Sequence, residues 1–154
     1  MFSPNQNLFK TLTDRVICRR INNLELQLIV FYYPYNYMSC NYFCRWITLE
    51  GNNISSVPEN FENLTALIHL NLNQNRMNVI PVSFTKLKKL QFLFMKSNDF
   101  YTLDISVLRN MGHVQKIDLS DNPIVASKKT LEVCKVAKIV AVLVHLSLAF
   151  TERQ

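Results

Sequence analysis

Three histidines, four cysteines and a pair of nearby aspartates are the groups through which this 154-residue chain would do covalent or acid–base chemistry. Nucleophilic catalysis needs an imidazole within reach of a hydroxyl or thiol, and a carboxylate that orients the ring. His69, His113 and His145 fall in three different kinds of segment, and none has a Ser or Cys and a carboxylate placed to complete such a set. Asp118 and Asp121 lie close together, but the phrase Ile117-Asp118-Leu119-Ser120 makes Asp118 an ordinary strand residue. Two glycines in the whole chain are too few for a glycine-rich phosphate loop. Cys18, Cys40, Cys44 and Cys134 have no Cys or His partners at zinc-ligand spacing. The expectation is a protein that is not an enzyme, with no catalytic residues, no cofactor, no metal and no small-molecule substrate.

Regular spacing belongs instead to asparagines. Asn52, Asn75, Asn98 and Asn122 are 23, 23 and 24 residues apart, and each closes the same apolar phrase. The phrases are Ile47-x-Leu49-x-x-Asn52-x-Ile54, Leu70-x-Leu72-x-x-Asn75-x-Met77, Leu93-x-Met95-x-x-Asn98-x-Phe100 and Ile117-x-Leu119-x-x-Asn122-x-Ile124. Two apolar residues separated by one point to the same face of a short strand. Cys44, Leu67, Leu90 and Val114, three places earlier, lead into each strand. A carboxamide has donors and an acceptor, so at a buried turn it can satisfy backbone groups left without partners. Stacked copies would therefore form a ladder of Asn side chains. The return path repeats too: Pro58-x-x-Phe61-x-x-Leu64-x-x-Leu67 is echoed by Pro81-x-x-Phe84-x-x-Leu87-x-x-Leu90. Its three-residue step suits 3₁₀ or loosely helical turns. The last unit keeps the step in Ile105, Leu108, Met111 and Val114, loses the Pro, and takes one extra residue near Leu103-Asp104.

This pattern, with a period inside the about 20–29 residues typical of such arrays, is that of the leucine-rich repeat. Ile47-x-Leu49-x-x-Asn52-x-Ile54-x-x-Val57-Pro58 and its successors resemble the 23-residue class of intracellular members, the Ras-suppressor and Ras-binding scaffold type. The resemblance covers residues 47–124. It implies an α/β solenoid, a right-handed horseshoe with short parallel strands on the concave face and 3₁₀ or helical turns on the convex face. It also implies a binding scaffold without enzymatic activity; concave residues differ between members, so none carries over as a binding residue.

No single coil closes its own core, so neighbours and specialised ends must do so. Residues 1–45 are expected to be an N-terminal cap with a degenerate repeat, Ile21-x-x-Leu24-x-Leu26, and an aromatic return over Tyr32 to Phe43. Residues 46–126 hold four coils. Residues 127–154 are expected to be a C-terminal cap: a helix from Ser127 to Val142, then a last strand phrase Leu143-x-x-Leu146-x-Leu148 with Thr151 in the Asn place.

Alternation along the strands puts three columns of side chains on the concave face. The first is Trp46, His69, Phe92 and Lys116; the second Thr48, Asn71, Phe94 and Asp118; the third Glu50, Asn73, Lys96 and Ser120, with Gly51, Gln74, Ser97 and Asp121 beside it. Large aromatic side chains at positions facing water are unusual in an isolated protein, and interface energy concentrates in such side chains. The expected site is thus a partner-binding patch centred on Trp46, His69, Phe92 and Phe94. The alternative is cover by the chain's own ends. Glu50, Lys96, Lys116, Asp118 and Asp121 would form a mixed polar rim.

The net charge of +6 comes from scattered basic residues without interleaved aromatics, so no nucleic-acid partner is expected. The apolar run 139–150 is shorter than the ~20 residues of a spanning helix, and a core cap is favoured over a tail anchor. Residues 1–20 lack the apolar core of a secretory leader. That favours a cytoplasmic protein with reduced cysteines, although Cys40-x-x-x-Cys44 lies where secreted repeat proteins carry a disulfide cap. Asn53-Ile54-Ser55 and Asn63-Leu64-Thr65 are formal glycosylation sequons. The function expected is a protein–protein interaction module. Its rivals are a regulatory subunit of a phosphatase or small GTPase complex, and a membrane-anchored or secreted recognition protein.

Overall fold

The computed structural model describes residues 44–124 in full and the backbone of residues 9–12 and 15–18. The expected strand phrase at Ile21–Leu26, the aromatic return, the helix from Ser127 and the last strand phrase lie outside the described residues.

Each Asn-closed phrase contributes one three-residue strand: β3 (Trp46–Thr48), β4 (His69–Asn71), β5 (Phe92–Phe94) and β6 (Lys116–Asp118). They pair parallel and in register, Trp46 beside His69, Phe92 and Lys116. Before them come β1 (Phe9–Leu12) and β2 (Arg15–Cys18), paired antiparallel. The order of this sheet is sequential from β1 to β6. The segment beside β3 is β2, parallel, with Arg15 in register with Trp46. Sequence reading placed the neighbouring strand phrase later, at Ile21–Leu26; Arg15–Cys18 has only the β-branched pair Val16-Ile17 and no Asn to flag it.

Backbone bonds continue past the strands. Leu49 N–H donates to Asn71 O at 2.7 Å and Gly51 N–H to Asn73 O at 3.0 Å, and the same pair of bonds recurs between the next coils. The residue before each Asn then turns with positive φ: Gly51, Gln74, Ser97 and Asp121 at 71°, 54°, 54° and 55°. A left-handed residue reverses the chain abruptly, and this reversal directs each Asn into the stack.

On the return side, Pro58 and Pro81 precede 3₁₀ turns at Glu59–Asn63 and Val82–Lys86. Their φ values of −66° and −60° suit a proline, which also lacks the amide that a first-turn residue leaves unpaired. The third return is a true helix, α1 (Ile105–Asn110), capped by Asp104, whose side chain accepts from Ser106 N. Here the three-residue step holds at Leu108, Met111 and Val114 and departs only at its start. Val107, Leu108, Met111 and Val114 are buried while Ile105 is only partly so. The additional residue of this coil is absorbed within the helical return and not at Leu103-Asp104. An α-helical period of 3.6 accommodates it where a 3₁₀ turn would not.

The core lies between the sheet and these returns as stacked layers of like residues. Ile47, Leu70, Leu93 and Ile117 make one layer, Leu49, Leu72, Met95 and Leu119 another, and Cys44, Leu67, Leu90 and Val114 a third. Phe61 and Phe84, both fully buried, meet across coils with ring centroids 5.6 Å apart and planes tilted by 43°. Each such burial is worth roughly 1.5–3 kcal/mol. Cys44 is buried in the leucine position, its thiol 3.5 Å from Trp46 O.

Candidate binding face

The asparagine ladder sets the rigidity of the face. Asn75 Nδ2 donates to Leu72 O and Asn73 O in its own coil and to Leu49 O in the preceding one, at 3.1, 3.0 and 2.9 Å. Its Oδ1 accepts from Ile54 N at 3.0 Å. Asn98 repeats this toward Leu72 O and Met77 N, and Asn122 toward Met95 O, Asn98 N and Phe100 N. Asn52, Asn75 and Asn98 are buried. Asn75, Asn98 and Asn122 thus each clamp two coils, and Asn52 Nδ2 donates to Leu49 O and Glu50 O of its own coil.

On the opposite surface of the strands, the three columns emerge as expected: Trp46, Thr48, His69, Asn71, Asn73, Phe92, Phe94 and Asp118 are half-buried, and Glu50, Lys96 and Lys116 exposed. The rings come together into one row. Trp46 and His69 stack at 4.5 Å with planes 13° apart. His69 lies 5.0 Å from Phe94 and 6.3 Å from Phe92. The row ends under Lys116, whose ammonium is 5.2 Å from the centre of Phe94. It thus runs diagonally from the first column to the second, which alternation alone did not reveal.

The polar columns are largely occupied with one another. Asn71 Nδ2 donates to Glu50 Oε2 at 3.0 Å, and Asn71 Oδ1 accepts from Asn73 N at 2.9 Å. Asn73 Oδ1 accepts from Lys96 N at 2.9 Å. Lys96 forms an ion pair with Asp121 at 3.1 Å. Asp118 Oδ1 accepts from the amide and hydroxyl of Ser120 at 3.1 and 2.7 Å. The mixed polar rim is thus internally matched, except at Lys116. These short polar residues, one or two positions apart or on adjacent strands, are within reach of each other, so their pairing was open to sequence reasoning and missed.

His113 does not join this face. Its Nε2 lies 2.9 Å from Leu87 O, tying the turn after α1 to the preceding coil. His145 lies outside the described residues. Among the described residues no His, Cys, Asp and Glu groups assemble at metal-ligand spacing, and no helix is long and apolar enough to cross a membrane.

Residues 45–100 match the leucine rich repeat family model. Keratocan from Mus musculus is 35% identical over 74 residues, which are 46% of this chain and 21% of keratocan. Keratocan from Bos taurus is 34% identical over the same shares. The chain thus spans about a fifth of the length of the curated relatives it matches. Among solved structures, a leucine-rich repeat protein of Leptospira interrogans is similar with a TM-score of 0.55 and 30% identity. That match covers 62% of this chain and 24% of the other. An internalin from Listeria monocytogenes is similar in fold, with a TM-score of 0.53, 23% identity, and coverage of 64% and 27%. A leucine-rich repeat domain is present, and its architecture is the leucine-rich repeat solenoid. Proteins with this domain generally mediate protein–protein interactions and are typically non-catalytic.

Proposed function

We propose that this chain is a non-catalytic recognition module that holds a protein partner against its concave face, with Trp46, His69, Phe92 and Phe94 as the anchoring side chains. One observation carries the reading: four half-buried rings form a contiguous row on the face that points away from the core. Large rings partly open to water gain from further burial. Rings already held against each other lose little side-chain freedom when a partner arrives. The 23-residue intracellular class is the likeness that best suits this use, because its members are scaffolds built on the same phrase.

The test is affinity capture with the triple variant Trp46→Ala, Phe92→Ala, Phe94→Ala. The variant is expected to keep its circular dichroism spectrum and cooperative melt, because none of the three faces the core, and to lose partners that the parent chain retains. Capture undiminished by the triple change would end the proposal.

A further inference from the structure

Charge is divided between the two sides of the solenoid in a way that net charge conceals. In each coil the chain crosses from the convex return to the concave strand through a short closing stretch. Among the described residues these stretches are 44–46, 63–69, 86–92 and 110–116. Together they carry Arg45, Lys86, Lys88, Lys89 and Lys116, all exposed, and not one Asp or Glu. The rest of residues 44–124 holds all seven carboxylates of that span, against Arg76, Lys96 and Arg109. The ion pair of Lys96 with Asp121 also lies there.

Backbone hydrogen bonds join the stretches into one edge. Ile68 N and His69 N donate to Arg45 O, Gln91 N and Phe92 N to Ile68 O, and Gln115 N and Lys116 N to Gln91 O, at 2.9 to 3.0 Å. Three coil spacings of ~4.8 Å make this ladder about 14 Å long. His113 ties its stretch to Leu87 O at 2.9 Å. Screening acts over about 10 Å at 0.1 M salt, so cations along a ladder of this length attract an approaching anion together. Lys88 Nζ donates to Thr85 O at 2.7 Å, and Lys116 lies over Phe94. Among the described residues none of the five cations is in an ion pair.

This edge offers charge and little else. The exposed large hydrophobic side chains, Val79, Val82 and Tyr101, all lie outside it. Trp46, His69 and Phe92, which end three of the stretches, are half-buried members of the ring row on the concave face. Single-stranded nucleic acid is held by rings on which its bases stack, and a protein partner by an apolar centre to the interface. An anionic bilayer needs neither, because its negative surface potential draws clustered basic residues directly. Lysine supplies four of the five cations, and its ammonium acts as a point charge without the bidentate fork of Arg. We infer that the closing edge is a docking surface for an anionic lipid bilayer, on which the solenoid lies edge-on without inserting. The concave face then looks along the bilayer and stays open, so the inference stands independently of the concave-face reading.

The experiment is co-sedimentation of the full chain with phosphatidylcholine vesicles containing ~30% phosphatidylserine, in about 0.1 M salt. The edge variant is Lys86→Gln, Lys89→Gln; the control, Arg76→Gln, Lys96→Gln, removes the same charge away from the edge, and all four positions are exposed. A basic residue near such a surface is worth roughly fivefold in partitioning. The edge variant should therefore bind about tenfold more weakly or worse, and the control less than about threefold more weakly. Lys86→Arg, Lys89→Arg should bind as the parent does. Binding of the parent should be lost on pure phosphatidylcholine and at ~0.5 M salt. Equal losses in the edge variant and the control, binding that survives high salt, or no sedimentation with the anionic vesicles would each overturn the inference. So would tighter retention by a single-stranded oligonucleotide or a polyglutamate peptide. The triple aromatic variant keeps the whole edge and should sediment as the parent does, so the two readings fail separately.

Discussion

Asn75 joins two coils with one carboxamide: two hydrogens serve three carbonyls and the oxygen serves Ile54 N. Alanine there would leave Ile54 N–H without a partner, while Leu49 O, Leu72 O and Asn73 O would each keep a second donor, from Asn52, Asn98 and Gly51. A buried donor left unsatisfied costs roughly 1–3 kcal/mol, so Asn75→Ala is expected to lose about that much in urea denaturation. Asn122→Ala should lose less, because Asn122 is only half-buried. Equal losses at the two positions would show that burial does not set the strength of the ladder. The residue before each Asn has its own demand. Gly51 meets the left-handed turn at no steric penalty, while Gln74, Ser97 and Asp121 hold it against a penalty of about 1 kcal/mol. The asparagines were legible in sequence because nothing but their 23-residue recurrence in one apolar phrase was needed. The ring row was half legible. Its members followed from alternation, but its diagonal step from His69 to Phe94 depends on side-chain packing that periodicity does not encode.

At the scale of elements, the returns show how one inserted residue changes secondary structure. The first two, opened by Pro58 and Pro81, are 3₁₀ turns; the third, with Asp104 in that place, is α-helical. Asp104 Oδ1 accepts from the hydroxyl and the amide of Ser106, each at 2.7 Å. The hydroxyl first and then the amide hold its carboxyl below the ordinary value of 3.8. A carboxylate whose folded pKa is depressed adds stability above its unfolded pKa, and that contribution is lost as pH falls through the folded value. The parent chain is therefore expected to lose a little stability below about pH 4 that Asp104→Asn, an uncharged acceptor, does not lose. Thermal melts of both proteins between neutral and acid pH check this, and parallel slopes would count against the cap. Sequence reading identified the missing Pro but assigned the insertion to the loop. The choice between a 3₁₀ and an α return is made by which apolar side chains reach the core, here Val107 and Leu108.

Over the whole molecule, stability passes between neighbouring coils. Phe84 is fully buried and packs in a tilted arrangement against Phe61 of the coil before it. Phe84→Ala should cost about 3–5 kcal/mol, a large part of the ~5–15 kcal/mol that holds a domain. In a stack stabilised by nearest neighbours, amide exchange is expected to speed up at Leu70 and Leu93 together, although Phe84 belongs to neither strand. Faster exchange confined to residues 82–86 would mean that the coils open independently. The number of middle coils, their parallel direction, the Asn ladder and the side chains on the open face were all determined by the one-dimensional pattern, since each depends on local spacing repeated at a constant period. Tertiary structure decided the rest: that Arg15–Cys18 lies beside the first coil, that the polar columns satisfy one another, and that Trp46 stacks on His69 while Phe92 and Phe94 lie tilted to it. Apart from the local pairs Asn71–Asn73 and Asp118–Ser120, those contacts join residues more than 20 positions apart, whose relative placement is set only when the coils are stacked.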